Sequence, residues 1–144
     1  MKQTPYRDGI RIPMLVAAAV AITESQMVAT NSQGFAVPAH DATASLFFGR
    51  AEHDVDNTQG ADGAAYIAVT RNRHFMFAND AAAPLTQADI GTPVAITGDG
   101  TVGQLTEGKL IAGTMMGLDG GTHVWVEVMG TPTGVLPSFG NLPL

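Results

Sequence analysis

No cysteine occurs anywhere in the chain, which removes disulfides, thiolate metal sites and cysteine nucleophiles from consideration together. Charge is also scarce: Asp, Glu, Lys and Arg make up 14% of the residues, and only seven are Lys or Arg. A formal net charge of -6 makes a poor partner for phosphate backbones, whose binding rests on basic side chains neutralising them. No apolar run is long enough to cross a bilayer; the longest, Met14 to Ile22, has nine residues. It superficially matches the apolar core of a signal peptide, but a segment buried within the fold is the reading adopted. Catalytic signatures are missing too. There is no HExxH, no Ser in GxSxG, no GxGxxG and no GxxxxGK[ST], and Gly98-Asp99-Gly100-Thr101 lacks the Lys and helix of a phosphate cradle.

What remains is a chain of 144 residues, most simply one domain, whose 17 Gly and 8 Pro imply many turns and few long helices. Residues 46–52 and 65–70 are two apolar, strand-like runs around HDVDNTQGADG, a loop rich in Asp, Asn, Gln and Gly. They are predicted to pair antiparallel. Arg71-Asn72-Arg73 then turns the chain into a third strand over residues 74–78. Phe35-Ala36-Val37-Pro38 follows a turn signal and reads as a short edge strand, where a residue without an N–H is tolerated. Two more hairpins are predicted, residues 93–97 with 101–105 and residues 109–118 with 122–128, the second around Asp119-Gly120-Gly121. In its last strand Val124, Val126 and Val128 share one face, and His123, Trp125 and Glu127 the other. Gly49 and Gly113 interrupt two leading strands and mark bulges or bends of the kind that curl a sheet into a barrel. Helix is limited to short pieces around residues 17–26 and 86–88, the latter with Thr86 as N-cap and Asp89 three positions on. The fold class is therefore all-β, a small barrel or sandwich of short antiparallel hairpins.

The two ends read differently from the body. Residues 1–13 carry Lys2, Arg7 and Arg11 against Asp8, about +2, which leaves about -8 on the remainder. Punctuated by three Pro and Gly residues, they form an extended arm whose Tyr6, Ile10 and Ile12 need a surface to cover. Residues 14–129 form the β domain. Residues 130–144 are an extended, Pro-rich tail whose Val135, Leu136, Phe139 and Leu142 must dock on something. These seven apolar residues are the candidate contacts with a partner or a second copy, and apolar ends of this kind on a small domain point to a homotrimer.

Chemistry is sparse within the body. Asp54, Asp56 and Thr58 begin like a calcium loop, but Gln59 and Ala65 stand where a Gly and a bidentate Glu are required, so an EF-hand is excluded. Asp54, Asp56 and Asp62 are read as a solvated acidic turn, with no metal and no cofactor assigned. His40, His53, His74 and His123 have no ligand spacing. An enzyme is not expected; a small hydrolase would need a His and carboxylates brought together by folding alone.

One resemblance is carried by Gly34-Phe35-Ala36-Val37-Pro38-Ala39, Gly49-Arg50-Ala51-Glu52, Val55-Asp56-Asn57, Gly60-Ala61-Asp62-Gly63, Phe77-Ala78-Asn79, residues 85–91, Ala112-Gly113 and Val124-Trp125-Val126. In this order the chain resembles the small capsid cement, or decoration, proteins of tailed bacteriophages over about residues 14 to 128. The resemblance implies a structural protein made in the bacterial host cytoplasm that binds the outer surface of the virion capsid. There it bridges major capsid protein subunits and often sits as a trimer near local threefold positions. The acidic body agrees with an outer position, away from packaged DNA. The alternative is a secreted or periplasmic ligand-binding β module using Trp125 and the acidic loop.

Overall fold

Residues 11–15 alternate exposed and buried along Arg-Ile-Pro-Met-Leu, and that period of two sets the architecture of the whole chain. A computed structural model describes Thr4, Pro5 and residues 7–135. Twelve strands follow in order: β1 Arg11–Leu15, β2 Val20–Ile22, β3 Met27–Thr30, β4 Ala36–Pro38, β5 Leu46–Ala51, β6 Val55–Asn57, β7 Tyr66–Thr70, β8 Arg73–Asn79, β9 Pro93–Gly98, β10 Thr101–Gly103, β11 Ile111–Asp119 and β12 His123–Val128. A single 3-10 turn, Gln87–Asp89, is the one helical piece among the described residues. The predicted all-β class is the observed one.

The strands form three groups. A five-stranded sheet has the order β1-β7-β5-β3-β4, a closed barrel runs β10-β8-β12-β11-β9, and β2 pairs with β6 in a ribbon. The barrel closes through one short parallel contact, Thr101 and Val102 of β10 against Ala78 and Asn79 of β8. The five-stranded sheet also curls: its edges meet where Val16 bridges Ala36 and the Ala17 N–H donates to the Ala36 carbonyl at 3.0 Å. Inside the curl lie Ile12, Met14, Val16, Val28, Ile67 and Val69. Met27 and Ala29, on the other face of β3, pack with barrel residues such as Phe77, Val94, Val124 and Val126. Strand β3 is thus buried on both faces and joins the two cores.

Both interrupting glycines sit where backbone approaches backbone. A Cβ on Gly49 would lie 2.3 Å from the Thr70 carbonyl oxygen, and one on Gly113, at φ 150°, only 2.0 Å from that of Glu127. The register slips beside each, between Val28 and Ala29 opposite β5 and between Ile111 and Gly113 in β11. The 3-10 turn is capped as read: the Asp89 carboxylate accepts the Thr86 N–H at 2.7 Å.

Three expectations need correction. Residues 17–26 are not helical, because their N–H groups are claimed from outside the segment: Ala18 donates to Asp62, Ala19 to the Asn57 carbonyl and Glu24 to Asp54. The third strand of the central stretch does not return onto β7. With Asn72 at φ 61°, the turn hands β8 to the barrel, where it pairs with β12 and β10. Finally, the arm ends before residue 13. Strand β1 is hydrogen-bonded to β7 from Arg11 onward, and Ile12 is 6% exposed in the inner core rather than open to a partner.

The start of the tail ties the sheets together. Thr133 exchanges backbone hydrogen bonds with Phe47 of β5 at 2.8 and 3.1 Å, the Ile111 N–H of β11 donates to Gly134, and Val135 bridges Leu110.

Candidate interaction surfaces

The acidic loop is built by its own backbone contacts. Asp62 accepts the Ala18 N–H and Asp54 the Glu24 N–H, both at 2.7 Å, while Asp56 takes the N–H and hydroxyl of Thr58 at 3.0 and 2.6 Å. The hydroxyl and N–H of Thr58 hold the Asp56 carboxyl below its usual range. Asn57, buried between them, donates to the carbonyls of Ala17 at 2.8 Å and Ala61 at 3.0 Å. Gly60 passes so close to the Asn57 amide that a Cβ there would clash with it. The carboxylates therefore serve as latches for the segment after β1. Among the described residues no group of three His, Asp or Glu is placed to hold a metal ion.

Two surfaces are apolar instead. At the open mouth of the curled sheet is a groove of about 660 Å³ walled by Ile12, Met14, Phe35, Leu46 and Phe48. None of its lining residues, 12–15, 30–35, 45, 46 and 48, titrates. Next to it Leu15 and Tyr66, cross-strand partners, stand out from the sheet, Tyr66 at 64% exposure. The second surface is on the barrel exterior. Val124, Val126 and Val128 point inward as read, and Trp125 points out at 41% exposure opposite Met76. The bulge in β11 places Gly117 beside Trp125 and leaves Met116 exposed.

Among the described residues, the titratable side chains stand apart on the surface or are engaged in local structural contacts. The His53 Nε2 accepts the Ala68 N–H at 3.1 Å while Nδ1 faces the Asp54 carbonyl at 2.9 Å, an arrangement with the proton on Nδ1. His74 lies 3.6 Å from Glu127 on the barrel exterior, both half exposed. A hollow of about 200 Å³ has His40, Asp41 and Lys109 on its rim, but Asp41 is taken up by the N–H and hydroxyl of Thr43 at 2.8 and 2.7 Å. The strongest polar cluster is structural. Arg50 pairs with Glu52 and lies over the Phe75 ring, 4.8 Å from its centre, so that an ion pair of the curled sheet rests on the barrel. Burial works against the Glu52 charge, yet hydrogen bonds from Thr70 and Arg50 outweigh it and lower the pKa.

Of the residues read as contacts, Ile10 is half-buried just before β1, Ile12 is internal, and Val135 is 44% exposed at the end of the described part of the tail. Tyr6, Leu136, Phe139 and Leu142 lie outside the described residues. Sequence reasoning passed over Leu15, Leu46, Tyr66, Met76 and Met116. Parity carried the signal in β8, since Met76 falls opposite to the inward Phe75 and Phe77. No described helix is long and apolar enough to cross a membrane. No family model matches the chain, and neither a curated protein nor a solved structure matches it.

Proposed function

We propose that this chain is a non-enzymatic decoration protein of a tailed-bacteriophage capsid, which binds the outer surface and stabilises it by bridging major capsid protein subunits, as a homotrimer. The observation that carries the reading is the presence of two separate uncovered apolar surfaces, the mouth of the curled sheet and the Met76–Trp125 face of the barrel, on one chain of 14.9 kDa. A bridge needs two contact surfaces held at fixed separation. Patches that combine Trp, Tyr, Met and Leu are suited to interface cores, and the His74–Glu127 pair flanks the barrel patch as part of a polar rim. The residues behind the resemblance also include ones the fold uses at close backbone approaches and at the latch, among them Gly49, Asn57, Gly60, Asp62 and Gly113. The acidic net charge favours the outside of a DNA-filled shell.

The test is co-sedimentation of the purified protein with heads that lack it, followed by cryo-EM of the pelleted particles. Saturable binding, with density spanning adjacent capsid subunits and touching sister copies, is expected. Protein left in the supernatant, or isolated single copies, overturns the reading. The groove supports one other reading, a secreted or periplasmic module for a small apolar ligand, because its volume falls in the usual range of ligand pockets, about 300 to 1,000 Å³. A ligand-dependent rise in Tm without head binding would favour that.

A further inference from the structure

The sequence contains the steps Asp8-Gly9, Asp62-Gly63, Asp99-Gly100 and Asp119-Gly120. An Asp followed by Gly is open to an intramolecular reaction, because no Cβ on the second residue shields its backbone nitrogen. That nitrogen attacks the protonated side-chain carboxyl: the N–Cγ bond forms, and the N–H proton leaves with the carboxyl OH as one water. Water then adds back to either carbonyl of the cyclic imide. The product is aspartate again or isoaspartate, in which the chain runs through Cβ. Closing the ring requires the peptide after Asp to rotate until its nitrogen faces Cγ, so the contacts of each step in the fold decide whether it can react.

Two of these steps are locked. The Gly63 N–H donates to the Val16 carbonyl at 2.9 Å while the Asp62 carboxylate accepts the Ala18 N–H at 2.7 Å, which holds nucleophile and electrophile on different partners. At the second, the Asp99 carbonyl accepts the Met27 N–H at 2.8 Å, the Gly100 carbonyl accepts the Ala78 N–H at 3.0 Å, and the Asp99 carboxylate accepts the His40 N–H at 3.2 Å. The peptide between Asp99 and Gly100 cannot turn without releasing Met27, which belongs to the strand buried on both faces. Asp8 lies ahead of β1, outside the sheets, where its carboxylate accepts the exposed Ile10 N–H at 3.1 Å.

We infer that Asp119-Gly120 is a modification site, the Asp-Gly step of the β domain that the fold leaves open to isoaspartate formation. It stands at the tip of the β11–β12 hairpin, where the Asp119–His123 pair ends the ladder and Asp119, Gly120 and Gly121 are all exposed. Among the described residues, neither the Asp119 carboxylate nor the Gly120 N–H has a hydrogen-bond partner. Gly120, at φ 67°, is followed by a second Gly, and a Cβ on either would meet nothing within 4 Å. Rotation of this peptide therefore breaks no hydrogen bond of Asp119 or Gly120 and meets no neighbour, as suits a tip at the least stable end of a fold. The Thr122 carbonyl, which accepts the Asn79 N–H at 2.9 Å, anchors the far side of the tip. The methylene that isoaspartate adds to the backbone is thus taken up between Asp119 and Thr122.

This site is independent of capsid binding, and its test leaves the proposed function untouched. The full chain is held at neutral pH and physiological temperature, either folded or unfolded in guanidinium chloride. After digestion, isoaspartate is labelled by an isoaspartate methyltransferase with tritiated S-adenosylmethionine and assigned by peptide mapping. In the folded sample, label at Asp119 should stay within a few-fold of its level in the unfolded sample, with Asp8 as the reference for a step outside the sheets. Label at Asp62 and Asp99 should instead fall on folding by about an order of magnitude or more, because both steps react only after their contacts open. Asp119→Glu, whose ring would need one more carbon, should lose the label at the tip with Tm unchanged. A folded sample in which Asp119 carries no more label than Asp62 or Asp99 overturns the inference, and so does label at the tip that survives Asp119→Glu.

Discussion

Asp62 accepts the N–H of Ala18 across 44 residues of sequence, and this one contact explains why an acidic loop sits against an apolar segment. Asp54 does the same for Glu24 across 30 residues, and Asn57 between them satisfies two carbonyls. The latch makes the loop part of the fold. Replacing Asp62 by Ala should lower stability by about 1 kcal/mol, the usual net worth of one hydrogen bond. Asn57→Ala should cost more, about 2 to 3 kcal/mol, because the buried carbonyl of Ala17 and the partly buried one of Ala61 lose their donor. Added calcium should leave the parent Tm unchanged in both scanning calorimetry and dye-based melts. A calcium-dependent rise that Asp62→Ala abolishes would show that the carboxylates serve an ion instead.

The two strand glycines give a sharper expectation. In Gly113→Ala the new methyl meets the Glu127 carbonyl and the residue must hold φ near 150°, so a loss of more than about 3 kcal/mol or failure to fold is expected. Gly120→Ala, also at positive φ but with open space around it, should cost about 1 kcal/mol. Urea melts that rank the two equally would mean that the barrel does not close through β11 as described.

Truncation separates the arm from the strand. Deleting residues 2–9 should leave the melting transition nearly unchanged, since among the described residues Ile10 is the first whose carbonyl accepts a backbone N–H, that of Arg71 at 2.8 Å, while Gly9 accepts only the exposed Arg71 side chain. Deleting residues 2–12 removes buried Ile12 as well and should cost about 2 to 5 kcal/mol, by analogy with large-to-small core substitutions. Circular dichroism on the two truncations decides it; indistinguishable melts would return residues 11–13 to the arm.

Acid should destabilise the fold in a way that depends on Glu52. Its pKa is lowered from an ordinary 4.5, so its contribution is present above the unfolded-state value and disappears as pH falls through the lower folded-state value. Asp89 shifts the same way, held by the Thr86 N–H and by Gln104, and Asp56 by Thr58. Glu52→Gln should therefore be less stable at neutral pH and show a shallower loss below about pH 4.5 than the parent. Parallel stability curves for the two proteins would remove Glu52 from the account.

The sequence by itself determined what short range can encode. Period-two alternation assigned β9 and β12 and the inward face of Val124, Val126 and Val128, while turn chemistry placed β8 after Arg71-Asn72-Arg73, β11 before Asp119-Gly120-Gly121 and the Thr86 cap. Gly49 and Gly113 announced close backbone approach because a strand interior tolerates Gly for few other reasons. Tertiary structure alone decided which sheet each strand joined. Nothing local distinguishes a β8 that returns onto β7 from one that crosses to β12, since both satisfy the same alternation. Nor could the nine apolar residues from Met14 to Ile22 reveal that they divide between β1 and β2, because the N–H acceptors that forbid a helix there arrive from Asn57 and Asp62, some 40 residues away. The groove is of the same kind: Ile12, Phe35 and Phe48 share no local pattern, and only the meeting of Val16 with Ala36 curls the sheet far enough to put them in one hollow.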